Sequence, residues 1–387
     1  MNATDYARVP FLDGIRGYAA LWVVLGHVSF WTGFSLPFVS NPALAVDVFM
    51  IMSGFLMTQH FFLRRSREPW NSPRTWFIFY IRRFFRSAPL YYQILIPSSL
   101  LFGYFAQRKE SVGAVSAAVD LQNVLLHVTF LFGLSPRFCA SLIIPDWSIG
   151  LEMQFYLVFP FLMVLASRIN MARFSALVLP VWIVARHLIT VYSGSRPGLL
   201  GWFPQPSLLP LKIGLFLIGM ALAWACMERE EKTGARTFVI ALIVMTTASI
   251  AGGFVVASTV LFSLMLFYNE ASMGMGLGRV IENCRRFFGN AVAHLLAEVS
   301  YGVYLLHMLI LYPARQILGA APWYMRQPAL VRFCVLAAVV LPIVYGLSWV
   351  LFRLVETPGI RLGKTIVDRF RTAGGQAALV KGVAVNP

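Results

Sequence analysis

An arginine and a histidine eleven positions apart, Arg16 and His27 in the run Leu-Asp-Gly-Ile-Arg-Gly-Tyr-Ala-Ala-Leu-Trp-Val-Val-Leu-Gly-His, form the sharpest chemical feature of this chain. Eleven helical steps of about 100° return to within roughly 20° of the starting direction, so both side chains share a face, about 16 Å apart along the axis. A histidine inside an apolar stretch is either a packed residue bonded to a neighbouring carbonyl or a proton acceptor facing a cavity. Asp13 falls on nearly the same face. Ionisable groups at membrane depth are costly unless paired or hydrated, which tilts His27 toward function, while Arg16 taken alone reads equally well as an interfacial anchor.

Further ionisable groups recur at apolar positions. Asp47 opens Asp-Val-Phe-Met-Ile-Met-Ser-Gly-Phe-Leu, where it either orients an imidazole or caps the helix, and the Ser53-Gly54 pair reads as a close helix contact. Arg82, Arg83 and Arg86 precede an apolar run, with Arg82 and Arg86 on one face; guanidinium forks suit phosphates, and the competing reading is an anionic-lipid anchor. Glu152 lies a few residues into an apolar helix, either paired with a buried cation or holding an acceptor. The polar stripe from Ser300 to His307 reads as a helix-helix contact. His60, His127, His187 and His294 have no local company and are assigned to packing or the surface. Four dispersed cysteines, Cys139, Cys226, Cys284 and Cys334, give neither metal-ligand spacing nor a disulfide framework, so no metal is expected.

These groups need elements to carry them, and composition limits the choice. The 387 residues are 58% hydrophobic and 12% charged, with mean hydropathy +0.71, which excludes a soluble globule. The net charge of +16 lies in short runs between apolar segments and forms no single stripe, so the lipid bilayer, and not nucleic acid, is the expected partner. Apolar windows predict spans near 17–34, 43–62, 89–106, 149–167, 174–192, 211–227, 237–251, 254–268, 299–318 and 330–355. The expected fold is therefore all-α, a polytopic transmembrane bundle of about ten helices. Lys and Arg concentrate in alternate connections, and the first outer loop, 35–42, has no charge, which places both termini in the cytosol and the chain in the inner (plasma) membrane. A transmembrane domain over 1–360 and a basic cytoplasmic tail over 361–387 follow. The stretches 107–147 and 269–298 are expected to hold re-entrant or interfacial pieces.

Taken together, the motifs resemble the membrane-bound acyltransferase family 3, whose members O-acylate polysaccharides, lipid-linked glycans and antibiotic sugars. The resemblance rests on the Arg16 to His27 spacing, then on 47–56, 82–92, 147–156, 300–307 and Glu356-Thr357-Pro358 in that order. Met50, Met52 and Ser87-Ala88 depart from the usual pattern without removing a chemical group. The resemblance implies an acyl-CoA donor, acetyl-CoA first among them, with Arg16, Arg82, Arg83 and Arg86 as ligands of its phosphates, and a carbohydrate or glycosylated acceptor. In that reading His27 is the general base, Asp13 or Asp47 stabilises its imidazolium, and Glu152 serves the acceptor; an acyl-histidine is the alternative chemistry. A transporter or flippase of a lipid-linked glycan, or a membrane scaffold, are the rival functions.

Overall fold

A computed structural model describes residues 10–107, 121–139, 141–195, 207–227, 259–261, 263–266 and 275–383. Among them every regular element is helical: α1 (Pro10–Thr32), α2 (Pro42–Arg64), α3 (Pro73–Gln107), α4 (Leu121–Val128), α5 (Trp147–Ile169), α6 (Met171–Ser195), α7 (Leu209–Met227), α8 (Met275–Phe288), α9 (Ala291–Glu298), α10 (Ser300–Gly319), α11 (Pro322–Met325), α12 (Ala329–Leu351) and α13 (Thr357–Val383). By length and composition, α2, α5, α7 and the continuous run Ala329–Thr372 can each cross a membrane. The pair α9 and α10, bent by 64° at Val299, makes a fifth candidate. Eight of the ten sequence windows coincide with a helix; the window at 237–251 and most of 254–268 lie outside the described residues. The 361–387 stretch, expected as a tail, continues the last helix as far as Val383.

Small residues set the tightest crossing. A Cβ on Gly54 would collide with the Phe216 carbonyl oxygen, and one on Gly219 with that of Ile51, so α2 and α7 approach backbone to backbone. Gly54 thus does what the sequence predicts. Around this crossing Phe55, Phe155, Phe159 and Phe216 are at most 1% exposed, and Phe155 stacks on Phe216 with centroids 4.1 Å apart.

Two irregular features shape the interior. The segment 121–146 folds back into the bundle as α4 and two 3-10 turns, with Asn123, His127 and Asp146 fully buried. It lies within 107–147, the stretch expected to hold a re-entrant or interfacial piece. Between α12 and α13 the chain runs through a π turn, Phe352–Glu356, which rotates Glu356 inward to 4% exposure. On the opposite stretch α8 is strongly amphipathic, and its Phe287 stacks on Tyr18 of α1 at 4.8 Å.

Candidate functional site

Charged side chains from α1, α3, α5, α9 and the π turn converge on one cavity of about 440 Å³. Arg16, Arg83 and Arg86 line it, together with Asp13, Glu152, Glu298 and Glu356. Arg16 Nη2 donates to Ala297 O at 3.2 Å, and its Nε is buried without a partner. Arg83 Nη2 donates to His60 Nδ1 at 3.2 Å. A guanidinium has no lone pair to offer, so His60 presents a bare nitrogen there and carries its hydrogen on Nε2. His60, assigned from sequence to packing or the surface, therefore belongs to the cavity wall.

Arg82 is turned elsewhere. Its fork meets Glu68, Nη1 to Oε2 at 2.9 Å and Nη2 to Oε1 at 2.7 Å, and it is not among the cavity-lining residues. Of the predicted arginine trio, Arg83 and Arg86, three positions apart on α3, reach the cavity.

Glu152 sits in the second turn of α5, and its Oε1 accepts two hydrogen bonds, from Ser53 Oγ at 2.8 Å and from Tyr156 OH at 2.5 Å. Ser53, read from sequence as packing, is thus a donor to the site. Both donors engage one oxygen, which keeps the carboxylate fixed and its second oxygen available. The sequence-predicted helix contact at Ser300 to His307 also turns inward: Ser300, Tyr301 and Tyr304 line the cavity. Tyr304 OH donates to Pro145 O at 2.6 Å, so Ser148 Oγ, 2.7 Å away, must donate to it.

His27 does not line the cavity. Its ring lies beside that of His307, centroids 4.9 Å apart; His307 in turn lies 5.9 Å from Tyr304, and Tyr304 lies 5.9 Å from Phe49. Phe49 and Tyr304 both line the cavity, so Tyr304 connects its wall to the imidazole pair through His307. Neither predicted carboxylate partner fits His27 as expected. Asp13 is fourteen residues from it on the same helix, about 21 Å along the axis. Asp47 is at the right height, since His27 and Asp47 each lie five residues from the ends of α1 and α2 that face each other. Its Oδ1, however, is 2.7 Å from Lys212 Nζ on α7. Lys212, Glu68, Tyr156 and His307 were not singled out from sequence as site residues. A lysine near the start of an apolar helix was the one signal that could have exposed Lys212.

His127 also has company that its sequence neighbours do not reveal. Its Nδ1 donates to Asn123 O at 2.8 Å, its Nε2 lies 3.4 Å from Asp146 Oδ2, and Tyr91 OH donates to that same oxygen at 2.9 Å. This buried cluster anchors the turn that supplies Pro145 O and Ser148 to Tyr304.

A membrane protein, helical in every regular element among the described residues and with an arginine- and carboxylate-lined cavity, is the class this architecture defines. The chain belongs to the acyltransferase family 3, whose acyltransferase domain matches residues 9–349. Acyltransferase MdmB of Streptomyces mycarofaciens is 23% identical over 378 residues, covering 92% of each chain. The regulator of hypoxia-inducible factor 1 of Caenorhabditis elegans is 22% identical over 375 residues, 79% of this chain and 71% of that one. Peptidoglycan O-acetyltransferase OatA of Listeria monocytogenes is 26% identical over 169 residues, 41% of this chain and 25% of that protein. No solved structure matches the chain.

Proposed function

We propose that the protein is an inner-membrane O-acyltransferase of ten spans with both termini in the cytosol, moving an acetyl group from acetyl-CoA to a hydroxyl of a carbohydrate acceptor. The observation that carries the reading is the convergence of Arg16, Arg83 and Arg86 on one cavity within the acyltransferase domain. Guanidinium groups pair with phosphates through charge-assisted, often bidentate hydrogen bonds. Donor phosphates held there leave the flexible thioester arm to follow α1 toward His27, about 16 Å from Arg16. In this reading Phe49 and Tyr304 move aside to admit the arm.

At the far end His27 Nε2 takes the proton of the acceptor hydroxyl as its oxygen attacks the thioester carbonyl. The carbon-sulfur bond breaks, and the departing thiolate takes the proton from the imidazolium. With Asp13 distant and Asp47 beside Lys212, neither carboxylate is assigned to the imidazolium. Glu152, fixed by Ser53 and Tyr156, faces the cavity that the thioester arm crosses, and is assigned there instead of to the acceptor, the role that the family resemblance implied for it.

The test is to incubate membranes containing the chain with radiolabelled acetyl-CoA and follow label into envelope glycans by mass. Label in the glycan that disappears in His27→Ala is the expected result. Relocation of an unmodified glycan would establish the transporter reading instead.

A further inference from the structure

Beyond the cavity, the two contacting imidazoles are both held as acceptors. His27 Nδ1 lies 2.8 Å from Val23 O, and His307 Nδ1 lies 2.6 Å from Tyr304 O, each carbonyl belonging to the ring's own helix. A carbonyl oxygen only accepts, so each Nδ1 carries the hydrogen and each neutral Nε2 presents a lone pair. The rings belong to α1 and α10 and sit 4.9 Å apart. His307 is fully buried, and its Nε2 has no hydrogen-bond partner among the described residues. The neighbouring Tyr304 hydroxyl offers none, because its proton goes to Pro145 O. A buried acceptor without a donor is destabilising, and an incoming donor recovers that cost.

We infer that the His27–His307 pair is a two-point hydroxyl site, which makes the acyl acceptor a polyol with hydroxyls on neighbouring carbons and His307 its specificity-determining residue. The inference rests on the proposed acyl transfer. One hydroxyl has a single proton and cannot satisfy two acceptors; two hydroxyls of one molecule can. The contact between the rings favours hydroxyls close together on the acceptor, as on a sugar ring. The roles then divide. His27 Nε2 takes the proton of the attacking hydroxyl and returns it to the leaving thiolate, while His307 Nε2 accepts a hydrogen bond from the second hydroxyl and exchanges no proton. Charge supports this division, since an imidazolium at His27 disfavours a second one in contact with it.

The experiment uses the full chain in lipid vesicles with acetyl-CoA and a panel of methyl glycosides of glucose, galactose, mannose and N-acetylglucosamine, each compared with monodeoxy counterparts. For the best glycoside, removing the hydroxyl next to the acylated one should lower kcat/KM by about ten- to a hundredfold. In His307→Leu that ratio should collapse toward one, and His307→Gln, which retains an acceptor oxygen, should restore part of it. Acetylation with no neighbouring-hydroxyl preference, or the same preference in His307→Leu, overturns the inference and leaves the acyltransferase reading standing. No acetylation of any glycoside by the wild-type chain overturns both. If His307→Leu does not fold, the wild-type deoxy series and His307→Gln still decide the matter.

Discussion

Arg82 and Glu68 meet fork to fork, with both carboxylate oxygens bonded to the one guanidinium at 2.9 and 2.7 Å. Arg371 of α13 donates to the same Oε1, and Arg74 Nη2 donates to the Phe370 and Arg371 carbonyls. One loop carboxylate therefore fastens α3 to the last helix. Burial by itself would raise the Glu68 pKa, but the Arg82 hydrogen bond and the charges of Arg82, Arg371 and Arg64 more than offset it and hold the carboxyl below its ordinary value.

The sign of the pH dependence follows. A carboxylate that titrates lower folded than unfolded contributes stability that is complete above its unfolded pKa and is lost as pH falls through the folded one. Glu68→Gln should destabilise the detergent-solubilised protein at neutral pH by about 1 kcal/mol, a figure discounted for the solvent access of both arginines. Its melting temperature should converge with that of the wild type in strong acid. Equal melting temperatures at neutral pH would mean that the junction contributes nothing.

The same geometry separates three arginines that look alike in sequence. Arg86→Ala should raise KM for acetyl-CoA by about tenfold or more, the value of a charge-assisted phosphate contact. Arg83→Ala should do the same and also release His60. Arg82→Ala should instead reproduce the Glu68→Gln loss of stability. Steady-state kinetics with acetyl-CoA varied decide this, and an unchanged KM in Arg86→Ala would remove the phosphate role.

Glu152→Gln distinguishes charge from shape. The amide oxygen can still accept from Ser53 and Tyr156, so the variant should fold and keep its melting temperature. Transfer should fall by about a hundredfold if the negative charge serves the reaction. Full activity in Glu152→Gln would assign the carboxylate to holding α2 and α5 together and nothing more.

Helical arithmetic made part of this site legible. It placed Arg16 and His27 on one side of α1, and apolar windows located the helices that carry Glu152 and the arginine cluster. It misjudged Asp13, because sharing a face says nothing about height, and about 21 Å separates Asp13 from His27. Partners joined only by the fold stayed hidden. Nothing beside Glu68 in the sequence marks it until α13 returns past it, and His307 reads only as part of a helix contact until α10 lies against α1. His60 and His127 looked isolated for the same reason: their partners, Arg83 and Asp146, come from other segments.

Lys212 and Asp47 provide the decisive case for whether a carboxylate at the height of His27 is structural or chemical. Their side chains are only 23% and 12% exposed, so removing one partner takes this 2.7 Å ion pair from the other in a poorly hydrated place. Asp47→Asn and Lys212→Met should each lower stability by about 2–4 kcal/mol, while the double variant should recover most of that loss, giving a coupling of about 1–3 kcal/mol. If the pair only fixes α2 against α7, transfer returns in the double variant along with the melting temperature. A double variant that folds as well as the wild type yet stays inactive would put the Asp47 charge back into the chemistry at His27, and thermal melts run beside the acetyl-transfer assay on the same four proteins distinguish the two outcomes.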